Sequence, residues 1–261
     1  MTWVIGAISL FGYGVVVSDV QVSWKGSDRE LPILQKAHFV GHTIVAGFAG
    51  SVRIGFRLIE SLSAGMTRAG PNEAWHPWWV AKHWPAEARR IFESSESLEK
   101  HLGSDILLVG ISPTEQRQHV PKVYLIRMSS PSFQPTFFTK PLSMCSIGSG
   151  TGATHYMAEL ATALDLHSPI ILLEQAPGGW GAGIARAMDR AISQQPMKGV
   201  SEHLQIHIAR RDGVTHGNND QRTIDSAGNE TLRKMPPLAA SWSAFENLAS
   251  ANGQAAALAR C

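Results

Sequence analysis

No charged residue precedes Asp19, and the stretch from Thr2 to Val17 consists mostly of β-branched, aromatic and glycine residues. A run this apolar at the start of a chain is a buried hairpin, a leader or a membrane span. A span needs about 20 unbroken apolar residues, and glycines at positions 6, 12 and 14 interrupt this run. A leader needs a basic first segment, and none is present. The expectation is therefore a hairpin: strands over Thr2–Leu10 and Gly14–Asp19, joined by Phe11-Gly12-Tyr13-Gly14, residues that tolerate positive φ. Neither a membrane nor an exported state is expected. Two cysteines, Cys145 and Cys261, are too few for a disulfide framework and suit a reducing compartment, so the expected location is cytoplasmic.

With 261 residues, 44% of them hydrophobic, the chain is long enough for one large domain or a domain with an extension. Only 17% of residues are charged and the net charge is +2. That leaves no basic field of the kind that binds phosphate backbones, and nucleic acid is not an expected partner.

Further along, a strand is expected over Thr43–Ala49, ending in the small turn Ala49-Gly50-Ser51. A helix follows, with Val52, Phe56, Ile59 and Leu62 at helical spacing and Gly65 and Gly70-Pro71 as its stop. Trp75–Phe92 reads as one helix with a Pro-rich entry, its four tryptophans assigned to packing. Strands are expected over Ile106–Ile111, Lys122–Met128 and Pro135–Phe138. Helices are expected over Ala153–Leu164 and Gly181–Ile192, separated by an apolar insert at Pro169–Leu173. The alternation of Leu204, Ile206 and Ile208 with Gln205 and His207 predicts a strand with one wet face. From residue 214 to 261 the chain reads as an extension, with Trp242, Phe245 and Leu248 at helical spacing. Strands and helices in alternating groups predict an α+β fold of antiparallel sheets packed face to face between helical layers.

Chemistry enters through chain position. A threonine hydroxyl is a weak nucleophile, but a first-residue threonine has its own α-amine as base. That amine titrates at about 7.7 to 8.0, close to working pH. Removal of Met1 would place Thr2 in that position.

The residues around this start carry a resemblance. Thr2-Trp3-Val4-Ile5-Gly6 is followed by Gly14-Val15-Val16-Val17-Ser18-Asp19, then Lys36 lies 14 positions before Gly50, inside Val45-Ala46-Gly47-Phe48-Ala49-Gly50. Gly148-Ser149-Gly150 stands between the middle strands and a helix. In this order the blocks resemble the proteasome β-type subunits and the bacterial proteasome-like peptidases, the N-terminal nucleophile hydrolases. The resemblance implies a four-layer α-β-β-α sandwich over residues 2–213 and a threonine-type peptidase with Thr2 as nucleophile. It implies that Lys36 activates the hydroxyl and that Asp19 pairs with Lys36. Gly50 N–H would hold the oxyanion at a helix start, and Ser149 would position the proton shuttle. Met197–Ser201 stands where the family has Asp-x-x-Ser-Gly, and Ser201 takes the place of its serine. Val22, Phe48 and Val52 would line the pocket beside the cut bond. The substrate would be a peptide or unfolded protein, the assembly a homo-oligomeric ring, and an unfoldase ATPase a possible partner, with no metal and no cofactor.

Other readings compete. Gly148-Ser149-Gly150-Thr151-Gly152-Ala153 also fits a dinucleotide-binding loop, but no acidic residue closes a clear strand about 20 positions on. Of the 11 histidines, His203 and His207 are four apart but fall in or beside an expected strand rather than on one face of a helix, so no metal is expected. Two alternatives share the fold: a catalytically inactive assembly subunit, and an N-terminal nucleophile amidase acting on small amides.

Overall fold

In a computed structural model of the protein, the described residues are 3–24, 28–67, 75–112, 121–148, 150, 152–165, 182–217, 221–224, 230–254 and 259–261. They form a mixed α+β fold with antiparallel sheets and seven described helices. One five-stranded sheet has the order β10 (Met144–Ile147), β1 (Val4–Ile8), β2 (Gly14–Asp19), β11 (Leu204–Arg210), β12 (Gly213–Gly217). The other runs β5 (Ala37–Gly41), β6 (Ile44–Gly50), β7 (Ser104–Ile111), β8 (Val123–Ser129), β9 (Thr136–Phe138). A three-stranded sheet joins β15 (Ala259–Arg260), β3 (Gln21–Trp24) and β4 (Glu30–Pro32), and β13 (Gln221–Ile224) pairs with β14 (Glu230–Arg233). The helices are α1 (Val52–Thr67), α2 (Pro77–His83), α3 (Pro85–Glu93), α4 (Ser97–Lys100), α5 (Thr154–Ala163), α6 (Ala182–Gln194) and α7 (Trp242–Ala251). No helix among the described residues is long and apolar enough to cross a membrane.

The side-chain period of two along each strand sorts the apolar residues into separate cores. In β1 and β2, Ile5, Ala7, Val15 and Val17 join Tyr156 and Leu160 of α5 and Met188 of α6 in one cluster. The alternate residues Val4, Ile8 and Val16 join Val45, Leu107, Val109 and Leu125 of the second sheet. On that sheet's other face, Phe48, Ile106, Leu108 and Ile126 pack with Ile54, Phe56 and Leu58 of α1. Strands covered on both faces read as continuous apolar runs, which is why the first hairpin carries no charge before Asp19. Its pairing from Val4↔Ser18 to Ile8↔Gly14 is unbroken.

Glycines let the two sheets approach. A Cβ on Gly14 would lie 2.2 Å from Val109 Cγ1 and 3.0 Å from Val123 Cγ1. Both neighbours are β-branched and stiff at χ1. Gly14→Ala is therefore expected to cost about 1–3 kcal/mol through overpacking, read as a lowered denaturation midpoint at unchanged slope.

Several expectations need correction. α1 runs through Gly65 to Thr67; Gly65 has open space around it and lies in the last turn. The single helix over Trp75–Phe92 is two, because Pro85 cannot donate a backbone hydrogen bond, and Trp84 caps both. Of its tryptophans, Trp84 packs against the core around α1, while Trp75, Trp78 and Trp79 are exposed. β11 has no wet face along its length from Leu204 to Ala209, since Gln205 and His207 are buried on the side toward the second sheet. β12, which carries Val214, pairs with β11, and Phe245, Ala249, Ala259 and Cys261 join the core around α1. The insert at Pro169–Leu173 lies outside the described residues.

Candidate active site

Asp19 ends β2 and Lys36 leads into β5, and neither side chain has any solvent exposure. Lys36 Nζ donates to Asp19 Oδ1 at 2.6 Å. The Trp3 N–H donates to the same oxygen at 3.0 Å, while the N–H groups of Gln21 and Ser201 donate to Oδ2 at 3.0 and 3.4 Å. A carboxylate buried without partners is strongly unfavourable, and one that receives an ammonium and three backbone N–H groups is compensated. The strand registers produce this convergence. Asp19 N–H returns to Trp3 O at 3.2 Å across the first hairpin, and β11 sets Leu204 opposite Asp19, which brings Ser201 alongside.

The backbone of Lys36 is held as firmly as its head. Its N–H donates to Gln205 Oε1 at 3.0 Å, its carbonyl accepts from Phe48 N–H at 3.1 Å, and Ser18 Oγ donates to the same Gln205 oxygen at 3.4 Å. Ser201 Oγ donates to His203 O at 3.0 Å and accepts from His203 N–H at 3.2 Å and Val20 N–H at 3.5 Å. Thus the structure brings Asp19, Lys36 and Ser201 together.

Gly50 stands at the end of β6 with φ +100°, and a Cβ there would lie 2.4 Å from Gly103 O, so only glycine fits. Two residues on, α1 begins, with Ser51 Oγ accepting from Ile54 N–H at 3.3 Å; the positive end of the helix lies beside Gly50. The Gly50 N–H is already engaged: it donates to Cys261 O at 2.8 Å, and Cys261 N–H returns to Gly50 O at 2.9 Å. Val22, Phe48 and Val52, expected to line a pocket, are fully buried in the cluster that also holds Ala259 and Cys261.

Thr2 and Ser149 lie outside the described residues. Their neighbours do not: Gly148, with φ +90°, follows β10, and β10 ends with Ile147 opposite Val4. The chain therefore passes from Ile147 to Gly148 beside the start of β1.

Sequence reasoning did not find Gln205, the Trp3 and Gln21 N–H groups, or Cys261. A glutamine in an alternating strand looks like an ordinary solvated residue, and backbone donors leave no trace in residue type.

His38, two residues past Lys36, is buried between Phe48 and Phe56, stacked on the first with ring centroids 6.1 Å apart. Its Nε2 lies 3.0 Å from Gln35 O and its Nδ1 3.4 Å from Gln35 Nε2. These partners match a neutral ring with the proton on Nε2. Burial lowers its pKa from 6.5 to about 4, against the opposing effect of the Gln35 carbonyl. The unfolded chain therefore binds a proton that the folded chain refuses between pH 6.5 and 4. The contribution of His38 is fully present above pH 6.5 and is lost as the pH falls toward 4, by about 3 kcal/mol. Denaturant unfolding across this window should show a shallower loss of stability in His38→Gln than in the native chain. Parallel profiles would exclude His38 as the source.

Comparison with protein-family models finds no match to this chain, and comparison with curated proteins finds none either.

Proposed function

We propose that the chain is a proteasome-like N-terminal threonine hydrolase that cleaves peptide bonds through Thr2. One observation carries this reading: the Asp19 carboxylate joins the buried Lys36 ammonium to the backbone N–H of Trp3, one peptide link from Thr2. Whatever its conformation, Thr2 is covalently tied to a group that touches the ion pair.

The chemistry then follows from the residue types. The Thr2 hydroxyl oxygen attacks the substrate carbonyl carbon, and its proton passes to the Thr2 α-amine. The carbonyl oxygen becomes an oxyanion that takes the Gly50 N–H. As the intermediate collapses, the C–N bond breaks and the proton leaves with the amine. Water then cleaves the acyl ester on Thr2. Lys36 supplies positive charge beside the hydroxyl and disfavours a second cation on the amine. Ser149 and Ser201 position the proton path.

This reading extends to the fold and setting. The three clusters support a four-layer α-β-β-α stacking, and a cytoplasmic setting is proposed with it. A homo-oligomeric ring is proposed, with the exposed Trp75, Trp78 and Trp79 in its contact, together with an unfoldase ATPase that delivers substrate. Activity on small amides uses the same groups. The inactive-subunit reading has one observation in its favour, the occupied Gly50 N–H.

The test is covalent. An electrophile that closes a ring with a hydroxyl and an adjacent amine should add its mass to a chain beginning at Thr2. An adduct elsewhere, or full activity with Met1 attached, overturns the proposal.

A further inference from the structure

The segment Ala259–Cys261 lies between two backbone edges. On one side Ala259 and Arg260 pair antiparallel with Trp24 and Ser23 of β3. On the other, Cys261 and Gly50 exchange both of their backbone hydrogen bonds, at 2.8 and 2.9 Å. Ala259 and Cys261 sit in the cluster with Val22, Phe48 and Val52. The Cys261 thiol is fully buried, and burial pushes its pKa up to about 12 while Lys36 and Asp19 act on it with opposite signs. The segment thus lies in an extended conformation beside the ion pair, with its carbonyl on the one amide assigned to the oxyanion.

We propose that residues 259–261 form a self-inhibiting strap, an internal strand that occupies the place of an extended peptide and must leave before Gly50 can act. This rests on the hydrolase reading given above, and it assigns that site a regulation. A strand added between two edges gains its hold from main-chain pairing, which is indifferent to side chains. Any extended peptide able to place small or apolar residues against Val22, Phe48 and Val52 competes for the same edges. The strap has the advantage of a tether. α7 is anchored by Phe245 and Ala249 in the core and by its Ser241 cap, so the strap competes at an effective concentration on the order of millimolar. Its own side chains bring little: Ala259 and Cys261 are small. Such an occupant raises the apparent KM for peptide and leaves kcat unchanged.

Two readouts separate the strap from the hydrolase. The first is alkylation of the native full chain by iodoacetamide, followed residue by residue by mass, with buried Cys145 as internal reference. The probe is the acetylated, amidated peptide of sequence 255–260 at millimolar concentration. It should raise the labelling of Cys261 at least about fivefold and leave Cys145 unchanged. The second is Ala259→Glu, which puts a charge against the buried cluster and should expel the strap. It should label Cys261 freely without peptide and hydrolyse a reporter peptide with a KM about tenfold lower at unchanged kcat. Peptide-driven labelling with no hydrolysis by either form keeps the strap and removes the hydrolase. Hydrolysis with the same KM in both forms, or no effect of peptide on Cys261, overturns the strap whether or not the enzyme is active. Should Ala259→Glu fail to fold, the native-chain labelling decides alone.

Discussion

Lys36→Met is expected to lower the free energy of unfolding by about 3–5 kcal/mol and to abolish hydrolysis. The stability loss comes from the partner left behind. Asp19 has no solvent exposure, and without the ammonium its charge is met only by the N–H groups of Trp3, Gln21 and Ser201. Those donors soften the loss without neutralising it. Lys36→Met combined with Asp19→Asn should therefore be more stable than Lys36→Met alone, because an amide oxygen still accepts from a backbone donor and no charge is stranded. Lys36→Arg retains the charge but offers a planar fork in a space shaped for a compact head, so activity should stay lost. A Lys36→Met chain within about 1 kcal/mol of native in urea unfolding would mean that Asp19 finds another counter-charge. Persisting hydrolysis would remove Lys36 from the chemistry.

Thr2→Ala is expected to reduce hydrolysis by roughly a thousandfold or more while leaving unfolding close to native. The contrast with Lys36 is the point of the experiment: Lys36 anchors a buried carboxylate, and the Thr2 hydroxyl is proposed to serve the reaction alone. Thr2→Ser should keep part of the rate, since hydroxyl and amine are both retained. A chain that keeps Met1 should be as inactive as Thr2→Ala, because an amide nitrogen is no base. Intact-mass measurement beside the assay ties activity to the species that begins at Thr2. Equal rates for Thr2→Ala and native chains would move the nucleophile elsewhere and leave the inactive-subunit reading in place.

Much of the fold was readable because burial on both faces leaves a simple signature. The uncharged hairpin, the run at Thr43–Ala49 and the run at Ile106–Ile111 all reappear as strands, each shifted by a few residues at most. Among the short strands, β9 was anticipated at Pro135–Phe138, but others were not. β3, β4, β5 and β10 hold three to five residues each, too few to express a period. The break between α2 and α3 was written plainly in Pro85, but a strong helical pattern on both sides masked it. The tryptophans of this segment left two sites open, core and subunit contact, since a tryptophan has the same composition signal in both; Trp78 and Trp79 are exposed.

The candidate site divides along the same line. The sequence by itself supplied Thr2, Asp19, Lys36 and Gly50 as candidates, through the order and spacing of the blocks that resemble the hydrolase family. None stands out alone; their order and the 14 positions from Lys36 to Gly50 carry the resemblance, and both can be read along the chain. Only the tertiary structure decided that Asp19 meets Lys36, Trp3, Gln21 and Ser201 at once, that Gln205 holds Lys36 from 169 positions away, and that Cys261 occupies Gly50. These contacts rest on strand register and on backbone donors, which every residue type carries alike. Register is set by how two whole sheets pack on each other, so no short stretch of sequence contains it.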